Sequence, residues 1–198
     1  GESNNNGTHE MDICRWALGV EYPIRTSSNG GRYQFDDDWQ FYDTQIVNYE
    51  FPGNKMITWE GRSCNALPHW GRGRGVTIHG TKGSMLLDRN GYIHYGYDGK
   101  VVAEVKEKEQ SATTNTIGRG ALDDMHMGNF IAGITKGEKL NAPIWDGYKS
   151  NLMPHLANIA QECGAVINTD ADTGHIIGNK SAQAMWGREY EPGWEPTI

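Results

Sequence analysis

Cysteine is scarce in this chain of 198 residues. Cys14, Cys64 and Cys163 are odd in number and far apart. They form no C-x-x-C pair, so neither a zinc ribbon nor a disulfide framework is suggested. Cations are also in the minority. Lys and Arg number 18 against 25 Asp and Glu, leaving a formal net charge of −7 and a pI near 5.5. Neutralising phosphates requires clustered Lys and Arg, which argues against a nucleic-acid or anionic-membrane binder. No apolar run approaches the roughly 18 residues of a membrane-spanning helix. No signal peptide or lipidation motif is read in these residues, and the opening Gly1-Glu2-Ser3, without an initiator Met, reads as the start of a fragment of something longer.

What is present is a foldable composition. Seven Trp, nine Tyr and four Phe supply a core and argue against disorder. The 26 glycines, roughly twice the ordinary share, are aperiodic and favour many tight turns. Thr8 is placed to cap a helix that Gly19 ends. Within it Met11, Cys14 and Leu18 fall on one apolar stripe, and His9, Asp12 and Trp16 on another side. Arg15 is expected to point away. Thr44 to Phe51 alternates, Pro52-Gly53-Asn54 turns, and Lys55 to Glu60 returns as a hairpin. Further short strands are read at 75–80, 84–88, 92–95 and 101–105, with Asn90-Gly91 as a hairpin turn. A polar loop follows from Lys106 to Gly120. Helices are predicted from Leu122 to Lys136, from Asp146 to Cys163 with a kink or restart at Pro154, and over 179–187. Strands in one block with helices around it is the α+β pattern.

Several chemistries are set aside on spacing. Gly71-Arg-Gly-Arg-Gly75 lacks the third glycine of a dinucleotide loop, and a strand follows where a helix is needed. Gly75 to Lys82 misses the phosphate-loop pattern because Thr81 and Lys82 are in the wrong order and again no helix follows. His9-Glu10 has no second His at i+4, and Asp36-Asp37-Asp38 lacks calcium-loop spacing and reads as a solvated loop. No Gly-x-Ser-x-Gly exists, and Cys64 has no nucleophile signature.

The most specific segment is Gly7-Thr-His9-Glu-Met-Asp12-Ile-Cys-Arg-Trp16-Ala-Leu-Gly19. It resembles the Gly-x-His-x-x-Asp-x-x-x-Trp-x-x-Gly opening of the C-terminal domain of the glucose–fructose oxidoreductase / inositol dehydrogenase / MocA family. Asp43-Thr-Gln-Ile-Val, Glu50-Phe-Pro-Gly53, His79 to Ser84, Asn141 to Ile144, Asp146 to Ser150 and His155 to Ala160 extend the likeness in order along the chain. Trp186 to Pro196 resembles the tail of its often exported branch. The resemblance implies a single α+β substrate-binding and oligomerisation domain over residues 1–198. Its fold would be an open, predominantly antiparallel sheet with helices on one face, like the C-terminal domain of dihydrodipicolinate reductase. The Rossmann domain that binds NAD or NADP would lie outside this chain, so no cofactor is expected on the fragment itself. The substrate would be a sugar, polyol or derivative, and the free sheet face would make a homo-oligomer. The compartment would be the bacterial cytoplasm or, after export, the periplasm.

Hydride removal from a secondary alcohol leaves a proton for a base. His9 is the catalytic candidate, in a first helical turn where the dipole disfavours imidazolium. Its alternative is a capping or core histidine. Asp12 would accept from a second hydroxyl, or be a solvated helix face. Trp16 would wall a sugar ring, or pack in the core. Asn5 stands where many dehydrogenases of the family carry Asp; an amide hydrogen-bonds but takes no proton. This keeps open a relative that recycles NAD during glycoside hydrolysis or epimerisation. His155, with Asn151 and Asn158, would form a second edge of the cleft or a wet surface. Arg62, with Arg72 and Arg74, would hold a carboxylate or phosphate on the substrate, or be solvated loop arginines. A non-catalytic glycan-binding or assembly module is the competing class, with Trp16, Trp39 and Trp70 as its aromatics.

Overall fold

The computed structural model describes residues 1–106 and 121–196. The predicted polar loop lies, from residue 107 on, outside them. The chain divides into two compact units, residues 1–68 with 149–198 and residues 69–148.

The first unit is built on a five-stranded antiparallel sheet. Its strands are β1 (Arg25–Gly31), β2 (Thr44–Phe51) and β3 (Lys55–Arg62), which precede a four-stranded set elsewhere in the chain, and β8 (Ile167–Thr169) and β9 (Ile176–Ile177), which follow it. The order is β3-β2-β1-β8-β9. The β2–β3 hairpin is the one read from the sequence, with Gly53 (φ 76°) and Asn54 (φ 57°) making the left-handed turn. Alternation works as period two demands. Val47, Tyr49 and Phe51 on β2 and Ile57 and Trp59 on β3 are buried, while Ile46, Met56, Thr58 and Glu60 face outward.

Helices cover the buried face. They are a π-helical turn (Ser3–Gly7) running directly into α1 (Thr8–Leu18), and α3 (Ile144–Cys163), whose residues from Lys149 on belong to this unit. Met11, Met153 and Ala157 pack with Val47, Tyr49, Phe51, Ile57 and Trp59. Leu152, Leu156, Ile159 and Ala160 make a second cluster with Tyr22, Ile167, Ile176 and Ala182. The Tyr49 hydroxyl donates to the Met153 carbonyl at 2.9 Å, tying α3 to the middle of the sheet. The helix does not restart at Pro154; that ring is fully buried in the core. The short α4 (Lys180–Ala184) is capped by the Asn179 side chain, which accepts from the Ala182 N–H at 3.0 Å.

The outward face of this sheet is mixed. Arg25, Asn29, Asn48, Glu50 and Arg62 stand among Ile46, Met56 and Ile177. The loop between β1 and β2 is pinned by Asp43. Its carboxylate accepts from the N–H groups of Tyr33, Gln34 and Phe35 and from the Thr44 hydroxyl. These bonds, the Gln34 N–H foremost, hold the Asp43 pKa down at about 2. Asp36, Asp37 and Asp38 are exposed, as a solvated loop should be.

The second unit is a four-stranded meander, β4 (Val76–Gly80), β5 (Gly83–Asp88), β6 (Gly91–Tyr95) and β7 (Val101–Lys106), together with α2 (Ala121–Lys136). The β5–β6 turn is Arg89-Asn90, one residue earlier than predicted, because Asp88 already pairs with Gly91. Gly91 opens the strand at φ 127°, where a Cβ would lie 2.0 Å from the Val105 carbonyl oxygen. The strands thus form two sheets, each antiparallel, and the α+β class with an open sheet and helices on one face describes the first unit directly.

Candidate functional site

The site is built on the first helix, which starts earlier than its sequence indicates. Thr8 is not a cap. Its hydroxyl donates to the Asn4 carbonyl at 2.9 Å, four residues back inside the helix. The polar run Ser3-Asn4-Asn5-Asn6 winds as a π-turn, a geometry that recurs at functional sites. His9 therefore lies beyond the first turn, and the dipole argument for a neutral ring no longer applies there.

Spacing sorts this helix into two rows. Ser3, Gly7, Met11 and Arg15 fall every four residues and are all buried. Gly7 rests on Trp59, where a Cβ would come within 2.9 Å of the indole ring. Cys14 is half-buried beside this row, and burial, aided by the Glu10 charge, pushes its thiol up to about 11. That thiol is protonated and packed, which suits a structural cysteine. On the other side Asn5, His9, Asp12 and Trp16 form one exposed row. Trp16 is 80% exposed, so its core alternative does not hold. His9 is likewise exposed and neither caps the helix nor sits in the core.

α3 runs antiparallel alongside. At its far end Asn158 Nδ2 donates to Asn4 Oδ1 at 2.9 Å, and the Ser3 hydroxyl donates to Asn158 Oδ1 at 3.3 Å. One turn earlier His155 Nε2 meets Asn4 Nδ2 at 3.5 Å. Five residues before His155, Ser150 bridges Arg15 and Asp12. His155 is exposed and joins the start of the row through Asn4. Arg62 does not join it. It alternates with the buried face of β3, pairs with Glu60 at 2.8 Å, and so stands on the sheet face opposite the helices. Arg72 is paired with Asp88 in the second unit.

Arg15 points away from the exposed row, as expected, but it does so inward: it is only 4% exposed and donates to Ser150 Oγ at 3.0 Å and to the Val20 carbonyl at 3.2 Å. The four-residue repeat from Ser3 was the signal that it faces inward. Asn158 was read with His155 as an edge of the cleft, and Ser150 lies in a segment that carries the resemblance, but nothing in the sequence marked these two and Asn4 as the seam between the helices.

An exposed imidazole, a carboxylate, an amide and an indole in one row can accept a proton, bind hydroxyls and stack on a ring. The scaffold that carries this row is an open antiparallel sheet backed by helices. Residues 1–162 match the family described as "Oxidoreductase family, C-terminal alpha/beta domain", and the chain belongs to that glucose–fructose oxidoreductase / inositol dehydrogenase / MocA family. Comparison with curated protein sequences finds no match. Among solved structures it is similar to an oxidoreductase from Agrobacterium radiobacter in complex with NAD+, L-tartaric acid and magnesium. Identity is 13%, TM-score 0.63, and the match covers 82% of this chain and 47% of that one. It is also similar to the WlbA dehydrogenase from Bordetella pertussis in complex with NADH and UDP-GlcNAcA. Here identity is 11%, TM-score 0.55, and coverage 87% and 46%. The chain spans about half the length of these structures.

Proposed function

We propose that the chain is the substrate-binding half of a nicotinamide-dependent oxidoreductase acting on a sugar, polyol or glycoside derivative. The observation that carries this reading is the row Asn5, His9, Asp12 and Trp16, exposed along a helix whose opposite side is locked into the core. NAD or NADP, when bound, supplies the hydride acceptor. The described strands all pair antiparallel, so they offer no strand–turn–helix cradle for a dinucleotide. In this reading the cofactor is held by a part of the protein outside these residues.

In this reading His9 takes the hydroxyl proton as the alcohol carbon is oxidised. Asp12 accepts from a neighbouring hydroxyl, and the Asn5 amide both donates and accepts. Trp16 lays an apolar face against the ring's C–H side. His155 borders the other edge through Asn4.

The test is turnover of a panel of polyols and sugars by the full-length protein with NAD+ or NADP+, read by nicotinamide absorbance. His9→Ala should lower kcat by about 10²–10⁴-fold. Unchanged turnover would remove His9 from the reaction. Product formed without net nicotinamide reduction would favour a recycled cofactor, the alternative to which the Asn5 amide points. Glycan binding with no turnover would favour the module.

A further inference from the structure

We propose that Ser150 and Arg15 are positioning residues that fix the Asp12 carboxylate for hydroxyl binding; this rests on the reading of Asp12 as a substrate ligand. Arg15 is buried on the inward row, and Ser150, on α3, is 2% exposed. A guanidinium has donors only, and a serine hydroxyl has one proton and two lone pairs. Arg15 Nε donates to Ser150 Oγ at 3.0 Å, which occupies a lone pair. The single Ser150 proton then goes to Asp12 Oδ1, the acceptor in contact with it. Arg15 Nη2 stands 4.0 Å from the same oxygen, while its Nη1 is held by the Val20 carbonyl. The chain of bonds thus has one direction, from a buried cation through a buried hydroxyl to a carboxylate whose side chain is 55% exposed.

The consequence is geometric. Oδ1 is engaged from the protein side, and Oδ2 is the oxygen left for a ligand hydroxyl. An aspartate on a solvated helix face samples several rotamers, and ordering one on binding costs affinity. Here the rotamer is set before the ligand arrives. The anchor comes from a different helix, so it also ties the orientation of Asp12 to the seam between α1 and α3.

The experiment uses the full-length protein, calorimetric titration with myo-inositol and D-glucose, and thermal unfolding of Asp12→Asn, Ser150→Ala, Ser150→Thr and the Asp12→Asn/Ser150→Ala double variant. Ser150→Ala should weaken binding of the recognised polyol about tenfold, the scale of one charge-assisted hydrogen bond. It should leave the nicotinamide KM unchanged. Ser150→Thr, which keeps the hydroxyl, should restore most of the affinity. The two single changes should be non-additive both in binding and in unfolding. Additive unfolding effects, or Ser150→Ala binding as tightly as wild type while Asp12→Asn binds weakly, would overturn the positioning role alone. Asp12→Asn binding normally, or neither probe binding at all, would overturn the reading of Asp12 on which it stands.

Discussion

The five-stranded sheet of the first unit has one face sealed by two helices, and its strands alternate buried and exposed residues along β2 and β3. In the second unit β6 is half-buried throughout and every residue of β7 is exposed. Among its described residues, Val76 and Leu86 are the buried apolar side chains, at 5% and 7% exposure. The candidate site lies entirely on the first kind of scaffold. A helix that must hold four side chains in one row needs its other side fixed, and packing fixes it. The polar residues that join the helices add orientation rather than bulk stability, since each hydrogen bond contributes only about 1 kcal/mol net.

The contrast is most easily broken in the core of the first unit. Leu156 on α3 is fully buried among Tyr22, Ile167 and Ile176. Leu156→Ala should cost about 2–5 kcal/mol, read by denaturant unfolding. A loss below about 1 kcal/mol would mean that this core is looser than its burial indicates. Gly7→Ala comes next. The added methyl would meet the Trp59 ring at 2.9 Å, and overpacking of that kind costs about 1–3 kcal/mol. Gly7 has an ordinary helical backbone (φ −58°), so the helix propensity of Ala returns about 1 kcal/mol of this. A net loss should remain, with the site row displaced and polyol affinity reduced. A more stable variant would show that the helix does not bear on Trp59.

Asp43 tests the first unit away from its core, through pH. Its carboxylate is held at about 2 by the Gln34 N–H and its neighbours, below the ordinary value of roughly 3.9. A folded-state pKa below the unfolded one stabilises the protein above the unfolded pKa. That contribution disappears as pH falls through the folded value. Asp43→Asn should therefore melt below wild type at neutral pH, and the gap in Tm should close between about pH 4 and pH 2. A gap that persists below that window would assign the loss to packing of the loop instead.

How much of this was legible depended on which residues carried the signal. The β2–β3 hairpin, the α1 stripe of Met11, Cys14 and Leu18, and the apolar side of α3 are periodic, and they stand where the sequence puts them. β1 was not read, although it is central to the sheet. Its inward residues are Thr26, Ser28 and Gly30, with no apolar alternation. Ser28 instead accepts from Gln45 at 3.0 Å and donates to Gln161 at 3.1 Å, and Gln161 donates to the Gly30 carbonyl at 2.9 Å. β8 and β9 are three and two residues long, too short for any period. His9, Asp12 and Trp16 were legible as one side of the helix from their spacing; Asn5 was named only through the family resemblance, and the π-turn brings it onto the same exposed side. The Arg15–Ser150–Asp12 bridge was not legible, because it joins residues 135 and 138 positions apart.

The smallest effect expected is at Val102, and set beside Val47 it is the sharpest test of the contrast, because one substitution is made in two places. Val→Thr exchanges a methyl for a hydroxyl at nearly constant shape. On β2, Val47 has no exposed surface, and it faces Met11, Met153 and the other apolar side chains of the first core. Val47→Thr buries an unmatched hydroxyl and should cost about 1–3 kcal/mol. On β7, Val102 is 63% exposed, and the same change should stay within about 0.5 kcal/mol. Paired unfolding curves at two protein concentrations read both positions. A loss at Val102 that approaches the loss at Val47, and grows as the protein is concentrated, would mean that β7 is covered in solution by another copy. The exposed strand would then be a buried one, and the difference between the two units would belong to the isolated chain alone.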